Sequence, residues 1–363
     1  MKRVNLGILT LLCAGTVNAQ SSVTLYGIID TGITYISNQG GKSNVRLDSG
    51  INQGSRFGFK GVEDLGSGLK AVFTLENGFD PSTGKLNNGG ALFGRRAYVG
   101  LASDRYGTLT LGNDFDFIYD FVGPYTNVAR FAPAYSWHLS YDIDREAGEP
   151  VNNAVKYKSP SFGGLTLGAM YGFSNVAGAF AGTTGKPRVY SAGFSFTPQG
   201  KFYAPFSIAG AYTKTDGAAG TLAQVALNAT SIETAALSGL VHLGSFSINA
   251  NYSYTNATPA GGGGALLTHV IESGLYYQFT PFLSLGGGYA YIHQKQGSFN
   301  IVSVGADYYL SKRTDVFLFG SYQHASAGAG NAGLFLVVAP GTTNGYSSNR
   351  NQTAIQLGIR QVF

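Results

Sequence analysis

The sequence predicts an all-β chain of about sixteen antiparallel strands closed into a transmembrane β-barrel. Three observations carry that expectation: a composition poor in charge and rich in Gly and aromatics, a period-two alternation along most of the chain, and connections that alternate between short and long. Of the 363 residues 12% are charged and 13% aromatic, with 53 Gly, 24 Phe and 23 Tyr. A typical soluble domain carries roughly 25% charged residues and about 7% Gly. Disorder is excluded because hydrophobicity is too high and net charge too low. Long helices and coiled coils are excluded by the scarcity of Glu and Lys and the abundance of Gly, Tyr, Phe, Ser and Thr. Collagen is excluded because the Gly residues have no three-residue period and Pro is only 11.

The N-terminus is expected to be an export signal. Lys2 and Arg3 form a positive n-region, Leu6–Val17 is apolar, and Val17-Asn18-Ala19 offers a small-residue cleavage site. About a dozen apolar residues is short of the roughly 20 that a membrane helix needs. Residues 1–19 are therefore assigned to the signal and 20–363 to a single barrel domain. Cys13, the only cysteine, leaves with the signal, so no disulfide stabilises the mature chain. Loss of Lys2 and Arg3 also lowers the formal charge from +5, which argues against nucleic acid as a partner.

Beyond the signal no apolar run is long enough for a membrane helix, and alternation dominates. Leu25, Gly27, Ile29 and Thr31 oppose Tyr26, Ile28 and Asp30; near the C-terminus Ile355, Leu357 and Ile359 oppose Ala354, Gln356, Gly358 and Arg360. Such alternation sends one set of side chains to each face of a strand. The first eight segments are 22–38, 54–63, 69–79, 91–103, 107–113, 151–159, 164–174 and 188–197. The rest are 205–215, 230–242, 246–255, 269–279, 283–293, 298–310, 315–325 and 351–363. Short connections such as Asp64–Gly68, Asp104–Tyr106 and Ser311–Thr314 alternate with long ones such as Gln39–Gln53, Asp114–Pro150, Asn256–Thr268 and Ser326–Arg350. Short turns at one end and long loops at the other characterise outer-membrane barrels, and aromatics near strand ends suit the membrane interfaces. A soluble sandwich or solenoid would alternate too, but it would carry charge on its wet face. Leu222–Leu227 and Leu334–Val338 are apolar runs within long loops that either extend a strand or fold over the mouth.

Several motifs resemble porins of the β-proteobacterial general-diffusion type. They include Ser22-Val23-Thr24-Leu25-Tyr26-Gly27, Ser55-Arg56-Phe57-Gly58-Phe59-Lys60-Gly61, Arg95-Arg96-Ala97-Tyr98-Val99-Gly100-Leu101, Asn152-Asn153-Ala154-Val155-Lys156-Tyr157 and the closing Gly358-Ile359-Arg360-Gln361-Val362-Phe363. The resemblance implies a sixteen-stranded barrel, a homotrimer, and a third external loop folded into the lumen as a constriction. It further implies passive passage of small hydrophilic solutes and ions, an outer-membrane location among lipid and lipopolysaccharide, and Phe363 as the signal to the barrel-assembly machinery. A substrate-selective channel with a weak binding site, or an adhesin that recognises ligands through its long loops, is the alternative.

Parity names the lumen charges. Arg56 and Lys60 oppose Phe57 and Phe59, Lys156 and Lys158 oppose Val155 and Tyr157, and Glu76 shares the inward face of its segment. Parity favours Arg96 over Arg95, whereas Arg56 and Arg95 match the family's wall arginines; a bulge would reconcile the two, so both are retained. The longest connection, Asp114–Pro150, is expected to place Phe115, Phe117, Tyr119, Phe121 and Tyr125 on the wall. Its acids Asp114, Asp116, Asp120, Asp142, Asp144 and Glu146 would then face the lumen. Pro150 stands where related porins usually carry an Arg, which weakens the expectation of strong anion selectivity. The constriction is thus assigned to Arg56, Lys60, Glu76, Arg95, Arg96, Asp114, Asp116, Asp120, Lys156 and Lys158.

Enzyme signals are weak. His138, His242, His269, His293 and His324 are scattered without metal-ligand spacing, and no nucleophile elbow or triad is legible. Gly328-x-Gly330-x-x-Gly333 fits a dinucleotide fingerprint only formally, because no helix pattern follows it. No catalytic residue, metal or cofactor is expected.

Overall fold

The computed structural model describes residues 21–136, 150–173, 188–198, 205–217, 228–334 and 345–363. The expected signal 1–19, the run 222–227, residues 335–338, and His138, Asp142, Asp144 and Glu146 lie outside those residues. The strands are β1 (Ser22–Gln39), β2 (Lys42–Ser49), β3 (Arg56–Gly66), β4 (Leu69–Asp80), β5 (Lys85–Leu86) and β6 (Arg96–Ser103). They continue as β7 (Gly107–Asp114), β8 (Val151–Lys158), β9 (Leu165–Gly172), β10 (Arg188–Phe196), β11 (Phe206–Asp216) and β12 (Ala229–Leu243). The last six are β13 (Phe246–Pro259), β14 (Leu266–Gln278), β15 (Leu283–Gln294), β16 (Gly297–Tyr309), β17 (Thr314–Ala325) and β18 (Asn351–Val362).

These eighteen strands build a ring of sixteen antiparallel staves, because two of them do not form staves of their own. β2 and β3 both pair with the same edge of β1, at Thr31↔Ser49 and Ile28↔Arg56, and so make one interrupted stave. β5 is a two-residue arm on β4. The ring closes where β1 meets β18, with Ile28↔Val362 through Ile36↔Ala354 in register. Closure pairs the backbone polar groups of every stave with a neighbour, which is the condition for a sheet to live in hydrocarbon.

Each segment expected from alternation falls on an observed strand, and parity sorts its side chains as predicted. Leu25, Ile29 and Ile33 are exposed on the outer surface while Asp30 and Thr34 of the same strand are buried. Ile355 and Leu357 likewise point out and Ala354 and Gln356 in. At the short-turn end Tyr106, Phe162, Phe279, Phe282 and Tyr308 are exposed, forming an aromatic rim.

The connections differ from expectation in three places. Gln39–Gln53 is not a long loop. β1 turns tightly at Gly40-Gly41, whose φ values of +62° and +100° suit Gly, into β2, and only 50–55 leaves the ladder. Those residues fold inward because Asp30 accepts N–H bonds from Ile51, Asn52 and Gln53 at 2.9, 2.9 and 2.7 Å. Asn256–Thr268 is shorter than expected because β13 runs on to Pro259 and β14 begins at Leu266. At the long-loop end, β15 and β16 are joined by only Lys295 and Gln296, which breaks the strict alternation of loop lengths. Leu334, the described residue of the unplaced run Leu334–Val338, is buried against Val270, Ile292, Phe299 and Ile301, and its N–H donates to Gln352 at 2.7 Å.

Candidate pore constriction

Segment 115–136 follows β7 and runs along the inward face of the wall. Parity identifies that face, since its contacts are the buried positions of each strand. Phe117, Ile118, Phe121, Val122 and Tyr125 form one buried cluster with Met170, Val189, Ala209 and Leu240 of β9 to β12. Farther along, the Asn127 N–H donates to Glu272 of β14 at 2.8 Å, and Ser136 bonds Ser303 of β16 at 2.9 Å. The Ala134 N–H reaches Ile51 at 2.9 Å, so the segment ends against the inward fold between β2 and β3. The aromatics expected on the wall are there, with Tyr119 left at the cavity.

The predicted charges separate into two groups. In the first, Arg96 and Lys156 of the wall meet Asp114 and Asp120. Arg96 contacts Asp114 at 2.6 Å and Asp120 at 3.0 Å; Lys156 contacts the same two at 3.0 and 2.5 Å and donates to the Phe115 carbonyl at 2.7 Å. Two cations and two anions cancel. Each wall cation also lies over a loop ring: Arg96 is 4.8 Å from the Phe115 centroid, Lys156 5.0 Å from Phe117 and Lys158 5.7 Å from Phe121. Burial alone would raise the Asp120 carboxyl, but Lys156 and Arg96 outweigh it and hold that group below the ordinary carboxylate range.

In the second group Arg56 and Arg95 share one carboxylate. Arg95 reaches Glu76 at 2.8 Å and Arg56 at 3.9 Å, while the Tyr26 hydroxyl donates to the same carboxylate at 2.9 Å. Two guanidinium groups on one anion leave one positive charge over. Both arginines line a cavity of about 1320 Å³, together with Tyr119, Asp120 and Arg130. The tension between Arg95 and Arg96 resolves because β6 begins at Arg96. Arg95 lies just outside the ladder, where strand parity no longer governs its side chain, and both reach inward.

Asp116 and Lys60 fall outside both groups, and two acids point away from where the sequence suggests. Asp114 and Asp116 do not face the lumen: they are 5% and 1% exposed, and Asp116 accepts hydrogen bonds from the Thr213 hydroxyl at 2.6 Å and the Tyr119 N–H at 3.0 Å. Unpaired acids beside buried wall cations would be costly, so the loop acids turn to the wall. Lys60 joins neither group and lies 4.3 Å over the Tyr26 ring. Arg130, the lone cation of 114–136, also lines the cavity, and a single basic residue in an aperiodic loop carries no sequence signal for that position. Burial lowers its pKa, yet an arginine starts so high that it stays charged. Among the described residues no cluster suited to a metal ion occurs.

A closed antiparallel barrel with an apolar exterior and a charge-lined lumen defines a membrane channel of the outer-membrane type. The chain belongs to the Gram-negative porin family, whose profile matches residues 7–328. It is 30% identical to outer membrane porin protein 32 of Delftia acidovorans over 382 aligned positions, covering 100% of both chains. It is 36% identical to an outer membrane porin protein of Bordetella pertussis over 177 residues, 44% of this chain and 45% of that one, so this match spans less than half of the relative. In fold it is similar to the anion-selective porin from Comamonas acidovorans, with a TM-score of 0.78 and 24% identity over 95% of this chain and 100% of that one.

Proposed function

We propose that this barrel is a general-diffusion porin that favours small anions, with its narrowest passage between segment 115–136 and the wall bearing Arg56 and Arg95. One observation carries the reading: the loop acids Asp114 and Asp120 are neutralised by Arg96 and Lys156, whereas Arg56 and Arg95 share the single carboxylate of Glu76. Fixed charge at a narrow point selects by sign, and here the unneutralised sign is positive. The fold-sharing Comamonas protein is described as anion-selective, which agrees with this distribution. Lys60 and Lys158 add positive charge to the approach. No reaction is part of the function.

The mature chain begins after the 1–19 signal and works as a homotrimer; a fold-sharing Vibrio cholerae protein is described in a trimer form. The apolar outer band faces lipid and lipopolysaccharide. Phe363, whose N–H and C=O both pair with Gly27 at 3.0 Å, is the residue offered to the assembly machinery. Planar-bilayer recording in a salt gradient tests the central reading. A linear current with an anion/cation permeability ratio above one is expected, and Arg56→Ala lowers that ratio about twofold. A ratio of one or below, or no current, overturns it.

A further inference from the structure

Arg130 is a cavity-lining cation with no acid to answer it among the described residues. Its Nε has no hydrogen-bond partner although that atom is buried, and its charge neighbour is the Tyr276 ring, 5.5 Å from the guanidinium. Four other cations of the constriction have carboxylate partners within 4 Å: Arg56 and Arg95 share Glu76, and Arg96 and Lys156 share Asp114 and Asp120, whereas Lys60 and Lys158 lie over the rings of Tyr26 and Phe121. Arg130 nevertheless lines the same cavity as Arg56 and Arg95.

Its position is built rather than incidental. Asn127–Arg130 is a single helical turn capped by Thr126, whose hydroxyl accepts the Ala129 N–H at 3.3 Å. Glu272 takes the Asn127 N–H at 2.8 Å, and Asn249 donates to the Asn127 side chain at 2.9 Å. The next residue, Phe131, is 3% exposed and sits where β15 and β16 lack side chains. A Cβ at Gly286 would lie 2.2 Å from its ring, and one at Gly305 2.0 Å from its carbonyl oxygen. Phe131 thus fixes the turn from the wall side, and Arg130 is left on the lumen side.

Around the ring, Tyr276 on β14 is six staves from Arg56 on β3, counted through β1, β18, β17, β16 and β15. By the other route through β4 it is eight staves from β6, beside which Arg95 stands. In a ring of sixteen this is nearly the opposite side. We infer that Arg130 is a selectivity-determining residue that places positive charge on the loop side of the pore, so that a permeating anion is attracted from both walls. The described part of loop three therefore contributes a cation to the passage, while its acids Asp116 and Asp120 are bonded to wall side chains. The inference rests on the porin reading above and concerns which residue sets the sign.

Reversal potentials of wild type, Arg130→Gln and Arg130→Lys test it, with Tyr276→Leu and Tyr276→Phe as positioning variants. Arg130→Gln is expected to move the permeability ratio towards cations by about twofold, with conductance little changed and the shift shrinking at high salt. Arg130→Lys restores most of the ratio, Tyr276→Leu lowers it partway, and Tyr276→Phe keeps the ring and the ratio. A ratio for Arg130→Gln equal to wild type overturns the inference. So does an equal loss in Gln and Lys variants with raised conductance, which marks a displaced loop. A wild-type ratio at or below one overturns the anion-favouring reading instead, while the shift between wild type and Arg130→Gln still decides the role of Arg130.

Discussion

Two groups of charge stand close together in this barrel and do different work. Arg96, Lys156, Asp114 and Asp120 form a balanced, mostly buried knot that ties the third loop to the wall. Arg56, Arg95, Glu76 and Arg130 form an unbalanced set around an open cavity. Charges that satisfy one another hold structure in place, and charges left over act on whatever passes. Removing a member of the first group should therefore alter shape, and removing a member of the second should alter selectivity.

The largest effect is expected from Lys156→Met. It leaves Asp114 and Asp120 with Arg96 alone, and breaking a buried pair by removing one partner costs about 3–5 kcal/mol. The loop should loosen, read as higher single-channel conductance and a lower thermal midpoint. An unchanged conductance would mean that the knot does not position the loop. Next comes Gly305→Val. Its side chain would displace Phe131, at a cost of about 1–3 kcal/mol for overpacking. Both conductance and selectivity should move, because the turn carrying Arg130 shifts with Phe131. Arg56→Ala sharpens the contrast from the other side. Its pair with Glu76 is long and partly solvated, so stability should change by less than about 1 kcal/mol while the permeability ratio changes.

The smallest effect concerns pH. Asp120 is held below the ordinary carboxylate value, near 3.9, by Lys156 and Arg96. A depressed folded-state pKa contributes stability that is present above the unfolded value and is lost as pH falls through the folded one. Conductance should stay flat from neutrality to about pH 4 and change only below it. A transition near pH 6 would show that the loop is held by some other titrating group.

The fold was largely legible because a barrel repeats one rule. Alternation in β1 and β18 placed Leu25 and Ile355 outside and Asp30 and Gln356 inside without any knowledge of neighbours. Parity also found Arg56, Glu76 and Lys156, since each lies within a regular strand. It could not decide between Arg95 and Arg96, because the ladder starts at that boundary. Nor could it show that Asp114 and Asp116 turn to the wall, since Asp114 follows a register shift at the end of β7, Asp116 lies beyond the strand, and their directions depend on partners from β8 and β11. The 39–53 stretch departs from the expected long loop for a similar reason: Asp30, remote in sequence, gathers the N–H groups that make residues 50–55 fold inward. The position of Arg130 was hidden because it arises from what surrounds it, a glycine-floored wall and, among the described residues, no acid within reach.

The seam between β1 and β18 has a consequence for how the molecule comes into being. Its register joins Ile28 to Val362, residues more than 300 positions apart in the sequence. Contacts of such separation are the slowest to form, because a long loop must close before they repay its entropy. Until then both edge strands present unpaired N–H and C=O groups, which hydrocarbon does not tolerate. A barrel whose β18 has not yet docked on β1 is thus an open sheet rather than a leaky pore. Sealing the membrane and closing the ring are, for this protein, the same event.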